Sequence, residues 1–147
     1  MGPANRRPVR PLAMKYSYLG FPSKDKQGPL IYRPFLVVRV SFNKKGIHTF
    51  CLVDSGADVC LMPASIGQLI GIDIEAGAED QIRGIANQPA KTYRHLVHIT
   101  VPKLASFDAS VAFSADIKYG ILGQEGFFER FRVIFDRKKQ QFEVVDI

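Results

Sequence analysis

The sequence predicts an all-β protein, a closed barrel of about six or seven short strands with one or two short helices. Three observations carry that prediction. Short runs rich in Val, Ile, Phe and Thr recur along the chain, each bounded by Gly, Pro, Asn or Lys. Helical spacing is confined to two short stretches, residues 64–70 and 124–131. No internal repeat or low-complexity tract interrupts the series.

The elements follow in order. Residues 1–30, with Pro3, Pro8 and Pro11 among arginines, read as a basic leader, flexible or extended, and residues 31–147 as the folded domain. Phe35–Phe42 is the first strong strand, and Asn43–Gly46 a hairpin turn in which Gly46 supplies a positive φ. Ile47–Val53 returns as its partner and delivers Asp54 at the strand end. Val59–Met62 is a short apolar run stopped by Pro63. Ala64–Ile70 predicts two helical turns, with Ile66, Leu69 and Ile70 facing the core and Gly71 closing the helix. Gln81–Arg83 and Tyr93–Val101 flank a hairpin tip at residues 84–89. A strand at Ala109–Phe113, the run Tyr119–Gly123 and a helix-like Gln124–Phe131 come next. Phe131–Phe135 and Gln141–Val145 then form a last hairpin across residues 136–140.

Composition narrows the class. With 147 residues, 46% hydrophobic and 23% charged, the chain can bury a core without metal or disulfide support. No stretch approaches the roughly 20 apolar residues of a membrane span. The start of the chain has no apolar signal core, so a cytoplasmic location is expected. Cys51 and Cys60 sit among apolar residues and read as buried free thiols. The net charge of +6 is local: residues 1–33 hold seven basic side chains against Asp25, 7 − 1 = +6, and the remainder is neutral. Nucleic-acid contact is thus expected to be weak and confined to the leader.

Asp54-Ser55-Gly56 is the motif that carries chemistry. Alone it is weak, since it arises by chance in roughly one such chain in fifteen. A plain turn, with Asp54 or Ser55 bonding nearby N–H groups, accounts for it equally well. Its setting raises its weight. Phe50–Val53 brings the acid from an apolar strand, and Gly56 lets the backbone turn beneath the carboxylate. Further along, Ile121-Leu122-Gly123 repeats an apolar-apolar-Gly pattern after a strand.

Cys51-Leu52-Val53-Asp54-Ser55-Gly56-Ala57-Asp58 resembles the active-site signature of the retropepsins, the retroviral proteases and their cellular and bacterial single-domain relatives. The resemblance spans roughly Phe35 to Val145. It includes a flap-like hairpin at Gly84 and Gly120-Ile121-Leu122-Gly123 leading into a short helix. It implies a retropepsin-like aspartic protease domain in a closed acid-protease barrel, and Asp54 as the catalytic acid. Ser55, Gly56, Ala57 and Asp58 would support the active-site loop, with Asp58 structural and paired to a base such as Arg130. Gly84, Ile85, Ala86 and Asn87 would form the flap over a peptide or protein substrate. Ile121, Leu122 and Gly123 would pack behind the loop and shape the subsites. No cofactor and no metal is implied.

The implied mechanism needs two carboxylates. Two acids about 3 Å apart share one proton, because like charges oppose double ionisation, so one acts as base and the other as acid. This chain carries one such motif. The second Asp54 is therefore expected from a second subunit across a two-fold axis, in a homodimer. Ser55 would bond across that axis. Ala57 stands where pepsin-like enzymes have a further hydroxyl, which favours activity at mildly acidic pH.

Other features attract less weight. His95 and His98 lie three apart on a strand and so on opposite faces, and His48 is isolated, which argues against metal binding. Asp73, Glu75, Glu79 and Asp80 read as a solvated acidic face that could also select basic substrates. Phe127, Phe128 and Phe131 read as core or interface. Two alternatives stay open: a catalytically silent dimerisation or peptide-binding module, favoured by the lone flap Gly84, and a nucleic-acid-associated retroelement-type fragment.

Overall fold

Strand-forming runs dominate the chain, and in the computed structural model, which describes residues 10–24, 28–83 and 88–147, they close into a barrel. The order is β1 (Ala13–Ser17), β2 (Leu19–Phe21), β3 (Ile31–Arg33), β4 (Phe35–Phe42), β5 (Lys45–Val53) and β6 (Cys60–Pro63). Helix α1 (Ala64–Leu69) and a 3-10 turn at Ile74–Ala76 follow. Then come β7 (Ala78–Arg83), β8 (Pro89–Val101), β9 (Ala105–Ser114), β10 (Gly120–Leu122), β11 (Phe131–Asp136) and β12 (Gln141–Asp146).

The ring runs β4-β5-β10-β6-β9-β8 and closes where Arg39, Val40 and Ser41 of β4 meet Thr100, Ile99 and His98 of β8. It is a closed barrel of six strands, and β7 pairs on the outer edge of β8 as a hairpin arm. Period-two patterning explains the interior. Leu36, Val38 and Val40 of β4, Val97, Ile99 and Val101 of β8, and Val111 and Phe113 of β9 are all buried. A smaller cluster of Val59, Leu61 and Ala112, with Ile82, Ile117 and Ile121 against it, lies apart from this core.

Three local expectations are corrected. The β4–β5 loop is the two-residue Asn43-Lys44, because Phe42 pairs with Lys45. Those two residues take the positive φ values (44° and 70°) of a primed hairpin turn, and Gly46 sits in the strand. Helix α1 buries Ala64, Gly67 and Ile70, while Leu69 is 66% exposed. Gly67 makes that choice: a Cβ there would stand 2.6 Å from Ile74 Cδ1 and 3.0 Å from Phe113 Cδ1, so the helix seats on its glycine face. The closing Gly71 (φ +89°) does behave as expected, its N–H bonding Gln68 O and that of Ile72 bonding Gly67 O, which satisfies the last carbonyls.

The third correction concerns Gln124–Phe131, which is a series of turns and not a helix. Glu125 bridges to Val59, Gly126 has φ +96°, and the N–H groups of Phe128 and Glu129 reach back five residues to Gly123 O and Gln124 O. A strand bridge and a left-handed residue at its start leave no room for regular helical bonding. Phe127 and Phe131 still fill the core, with ring centroids 4.9 Å apart.

Part of the leader joins the fold. β1 pairs antiparallel with β12, and β12 with β11, in a separate three-stranded sheet. Its centre is Phe142, buried, with Tyr16 stacked on it at 5.3 Å. β2 and β3 form a two-stranded ribbon, where Phe21 packs on Phe35 at 4.6 Å. Among the described residues no helix is long and apolar enough to cross a membrane.

Candidate active site

The strand order that closes the barrel also builds a loop-to-loop junction around Asp54. β10 runs parallel to β5, with Ile121 beside Leu52 and Leu122 beside Val53, and one residue of β10 pairs with β6. The chain leaving β5 therefore emerges next to the chain leaving β10. Asp54 N–H donates to Leu122 O at 3.0 Å. Ala57 N–H closes a turn on Asp54 O at 3.2 Å, and Gly56 N–H donates to the Asp54 carboxylate, Oδ1, at 2.9 Å. A backbone N–H aimed at the acid orients it.

Gly123 makes the junction close. A Cβ there would collide with Val59 O and come 2.7 Å from Ala57 O. Beyond it, Gln124 N–H bonds Ala57 O at 2.8 Å, Glu125 N–H bonds Asp58 O at 3.0 Å, and Gln124 Nε2 donates to Ser55 O at 2.7 Å. The Cys60 thiol sits behind: its Sγ accepts from Gly123 N–H at 3.4 Å and donates to Glu125 O at 3.3 Å. Burial, more than any other influence, pushes that thiol up to about 11. It is a buried, inert hydrogen-bonding group.

The carboxylate opens onto a cleft of about 920 Å³. Asp54, Gly56, Ala57 and Asp58 form one end. Val59, Leu61 and Ile121 make an apolar floor, and Asp80 to Arg83 of β7 with Arg94 of β8 make the facing wall. This volume, with an apolar floor and polar walls, suits an extended ligand.

Most of the sequence-derived residues are thus brought together. Asp54, Ser55, Gly56, Ala57 and Asp58 meet Ile121 and Gly123 at the junction, while Leu122 is buried in the core and Ile121 faces the cleft. Asp58 has no ion pair among the described residues, and the suggested base Arg130 lies instead over the Phe107 ring at 4.8 Å. The flap residues Gly84, Ile85, Ala86 and Asn87 lie outside the described residues. Of the histidines, His95 Nε2 is 2.7 Å from Ile74 O and His98 Nδ1 is 2.8 Å from Asp108. Sequence reasoning missed Cys60, Gln124, Glu125 and Arg94. The helix-like reading of residues 124–131 hid the first turn's polar pair, and strand parity alone does not tell a cleft-facing Arg94 from a solvent-facing one.

Solved structures with a similar fold exist. A retropepsin-like aspartic protease from Rickettsia conorii superposes with a TM-score of 0.61 over 89% of this chain and 97% of that one, at 15% identity. The fold is retropepsin-like. The retropepsin-like barrel is also matched, more loosely, by EIAV protease in complex with the inhibitor HBY-793 (TM-score 0.48, 21% identity, 63% of this chain and 82% of that one). The retroviral protease-like domain of Ddi1 from Leishmania major gives a TM-score of 0.43 at 18% identity, over 71% of this chain and 82% of that one. No family model matches the sequence, and no curated protein matches it.

Proposed function

We propose that this protein is an aspartic endopeptidase that works as a homodimer, with one Asp54 from each protomer. The observation that carries the reading is the placement of Asp54. Its carboxylate accepts the Gly56 N–H and fronts an apolar-floored cleft, on a loop locked to the Gly123 corner of a retropepsin-like barrel. One such acid cannot act as base and acid in the same step, and the chain supplies one motif. A two-fold partner supplies the second.

In that dimer the ionised Asp54 takes a proton from a water, whose oxygen attacks the scissile carbonyl carbon. The protonated Asp54 of the other subunit gives its proton to the carbonyl oxygen. Collapse of the resulting diol transfers a proton to the leaving nitrogen and breaks the C–N bond. No covalent enzyme intermediate forms. Gly56 N–H fixes one carboxylate oxygen, Ser55 bonds across the axis, and Gly84 to Asn87 cover a substrate held as an added strand. Residues 31–147 form the protease domain in this reading, and β1 and β2 of the leader pack onto it. The two free buried cysteines suit a reducing, cytoplasmic setting.

The test pairs wild type with Asp54→Asn on an unbiased peptide library from pH 4 to 8, with a pepstatin-type inhibitor as control. Cleavage lost in the variant and blocked by the inhibitor supports the mechanism. Cleavage that persists in Asp54→Asn overturns it, and peptide binding without cleavage by wild type supports a silent binding module instead. Sedimentation of the wild type across concentration must show dimer under the conditions of activity.

A further inference from the structure

Arg94 brings a cation into the cleft where its neighbours are small. Its register partners are Ala78 on β7 and Ala112 on β9, so neither flanking strand screens the guanidinium with a bulky side chain. The side chain is 30% exposed and lines the same cleft as Ile82, Leu61 and Ile121. A guanidinium carries five N–H donors in a fixed fork. Among the described residues its side chain makes one hydrogen bond, from Nη1 to Glu125 Oε1 at 3.5 Å, the long limit of such a contact. The Glu125 main chain is anchored at the junction. Its N–H goes to Asp58 O, its carbonyl receives the Cys60 thiol, and it bridges to Val59.

The remaining donors are free to meet a ligand above an apolar floor, where a charge-assisted pair is stronger than in open solvent. The other charges in the cleft sharpen the choice. Asp54, Asp58, Asp80 and Arg83 also line it, so an acidic group placed beside the three carboxylates meets repulsion. We propose that Arg94 is a specificity-determining residue that selects peptides carrying an acidic side chain at the subsite that β8 of each protomer contributes. This rests on the endopeptidase reading for its substrate class, and Arg94 itself stays outside the proton-transfer steps.

The experiment uses fluorogenic peptides of one scaffold in which Asp, Asn or Lys is placed in turn at each position flanking the cleaved bond. Wild type, Arg94→Gln and Arg94→Glu are compared, with thermal melts to confirm folding. At one position, or at its two-fold mate across the cleaved bond, wild type is expected to favour Asp over Asn by about 10-fold or more in kcat/KM, chiefly through KM, the size of a charge-assisted hydrogen bond. Arg94→Gln should level that preference, and Arg94→Glu should turn it toward Lys. Glu125→Gln removes the competing carboxylate and should strengthen the preference for Asp, which keeps the test alive should the Arg94 variants fold poorly. Equal Asp-to-Asn ratios in wild type and Glu125→Gln, or in wild type and folded Arg94→Gln, overturn the proposal while leaving the hydrolase standing. Anisotropy of the same peptides with Asp54→Asn separates the two readings. Arg94-dependent binding of the acidic peptide with no cleavage by wild type sinks the hydrolase and keeps the selectivity, and neither binding nor cleavage sinks both.

Discussion

Gln124 reaches across the junction to Ser55, its side-chain Nε2 donating to the Ser55 carbonyl at 2.7 Å. With its own N–H on Ala57 O at 2.8 Å, this one residue holds both flanks of Gly56, the residue whose N–H orients Asp54. Cutting the side-chain bond should let the loop drift while leaving the barrel intact. Gln124→Ala is expected to cost no more than about 1.5 kcal/mol of stability, the net worth of one hydrogen bond. Activity should fall about 10-fold or more in kcat with KM little changed, as a small misplacement of the acid would give. Gln124→Glu cannot donate and should match the alanine variant. A variant with full kcat would show that the Asp54 loop is held without Gln124.

Gly123 is the position where the junction has no slack. A methyl group there meets Val59 O and stands 2.7 Å from Ala57 O, both backbone atoms that cannot rotate away. Gly123→Ala should therefore force the two loops apart, with a loss of about 1–3 kcal/mol, the usual cost of overpacking. Urea denaturation measures it. The same substitution at Gly71, where φ is +89° but the nearest atom is 3.9 Å away, costs backbone strain alone and serves as comparison. A Gly123→Ala protein as stable as wild type would contradict the close packing described.

Tyr16 offers a test of the terminal sheet. Its ring stacks on Phe142, yet its hydroxyl is buried with no partner among the described residues, and burial holds the phenol above its usual range. An unpaired buried hydroxyl costs stability, so Tyr16→Phe should be neutral or raise it by about 1 kcal/mol. Thermal melting at several protein concentrations reads the outcome. Destabilisation that grows on dilution would mean that a second protomer supplies the missing bond, and so would place Tyr16 at the dimer interface.

The barrel was legible because its strands obey period two and its hairpins carry turn residues, as Phe35–Phe42 and the register Phe135 opposite Phe142 show. Where neighbours decide, local pattern misled. Leu69 has the spacing of a core residue, but Gly67 lets Phe113 and Ile74 approach a different face, which turns Leu69 outward. The glycine turn at Gly46 failed for a similar reason: register set by the whole β4–β5 pair shortened the loop to Asn43-Lys44. The junction was half legible. Asp54 to Asp58 and Gly123 stand in motifs, whereas the parallel pairing of β10 with β5 that joins them depends on contacts far apart in sequence. No local rule assigns Gln124, Cys60 or Arg94 to that site.

The two thiols give a pH signature of the same junction. Cys51 is wholly buried and its thiol is raised first by that burial and then by Cys60 nearby. Cys60 is raised from 9.0 to about 11, by burial foremost, against the lowering effect of the Gly123 N–H. Between those values the unfolded chain has released the thiol proton and the native chain still holds it. The unfolded state then binds fewer protons, so stability falls as pH rises. The contribution is fully present below about pH 9 and is lost as pH climbs toward 11. Unfolding free energy measured in urea from pH 8 to 11 should decline, and the decline should be shallower in Cys51→Ala/Cys60→Ala than in wild type. A thiol reagent at pH 8 should leave both cysteines unmodified in the native protein and label both on unfolding, since neither thiolate is populated or accessible in the folded state. Parallel pH slopes in the two proteins would show that the cysteines are not held protonated by the fold, and rapid native labelling of Cys60 would show that the Gly123 corner opens to solvent.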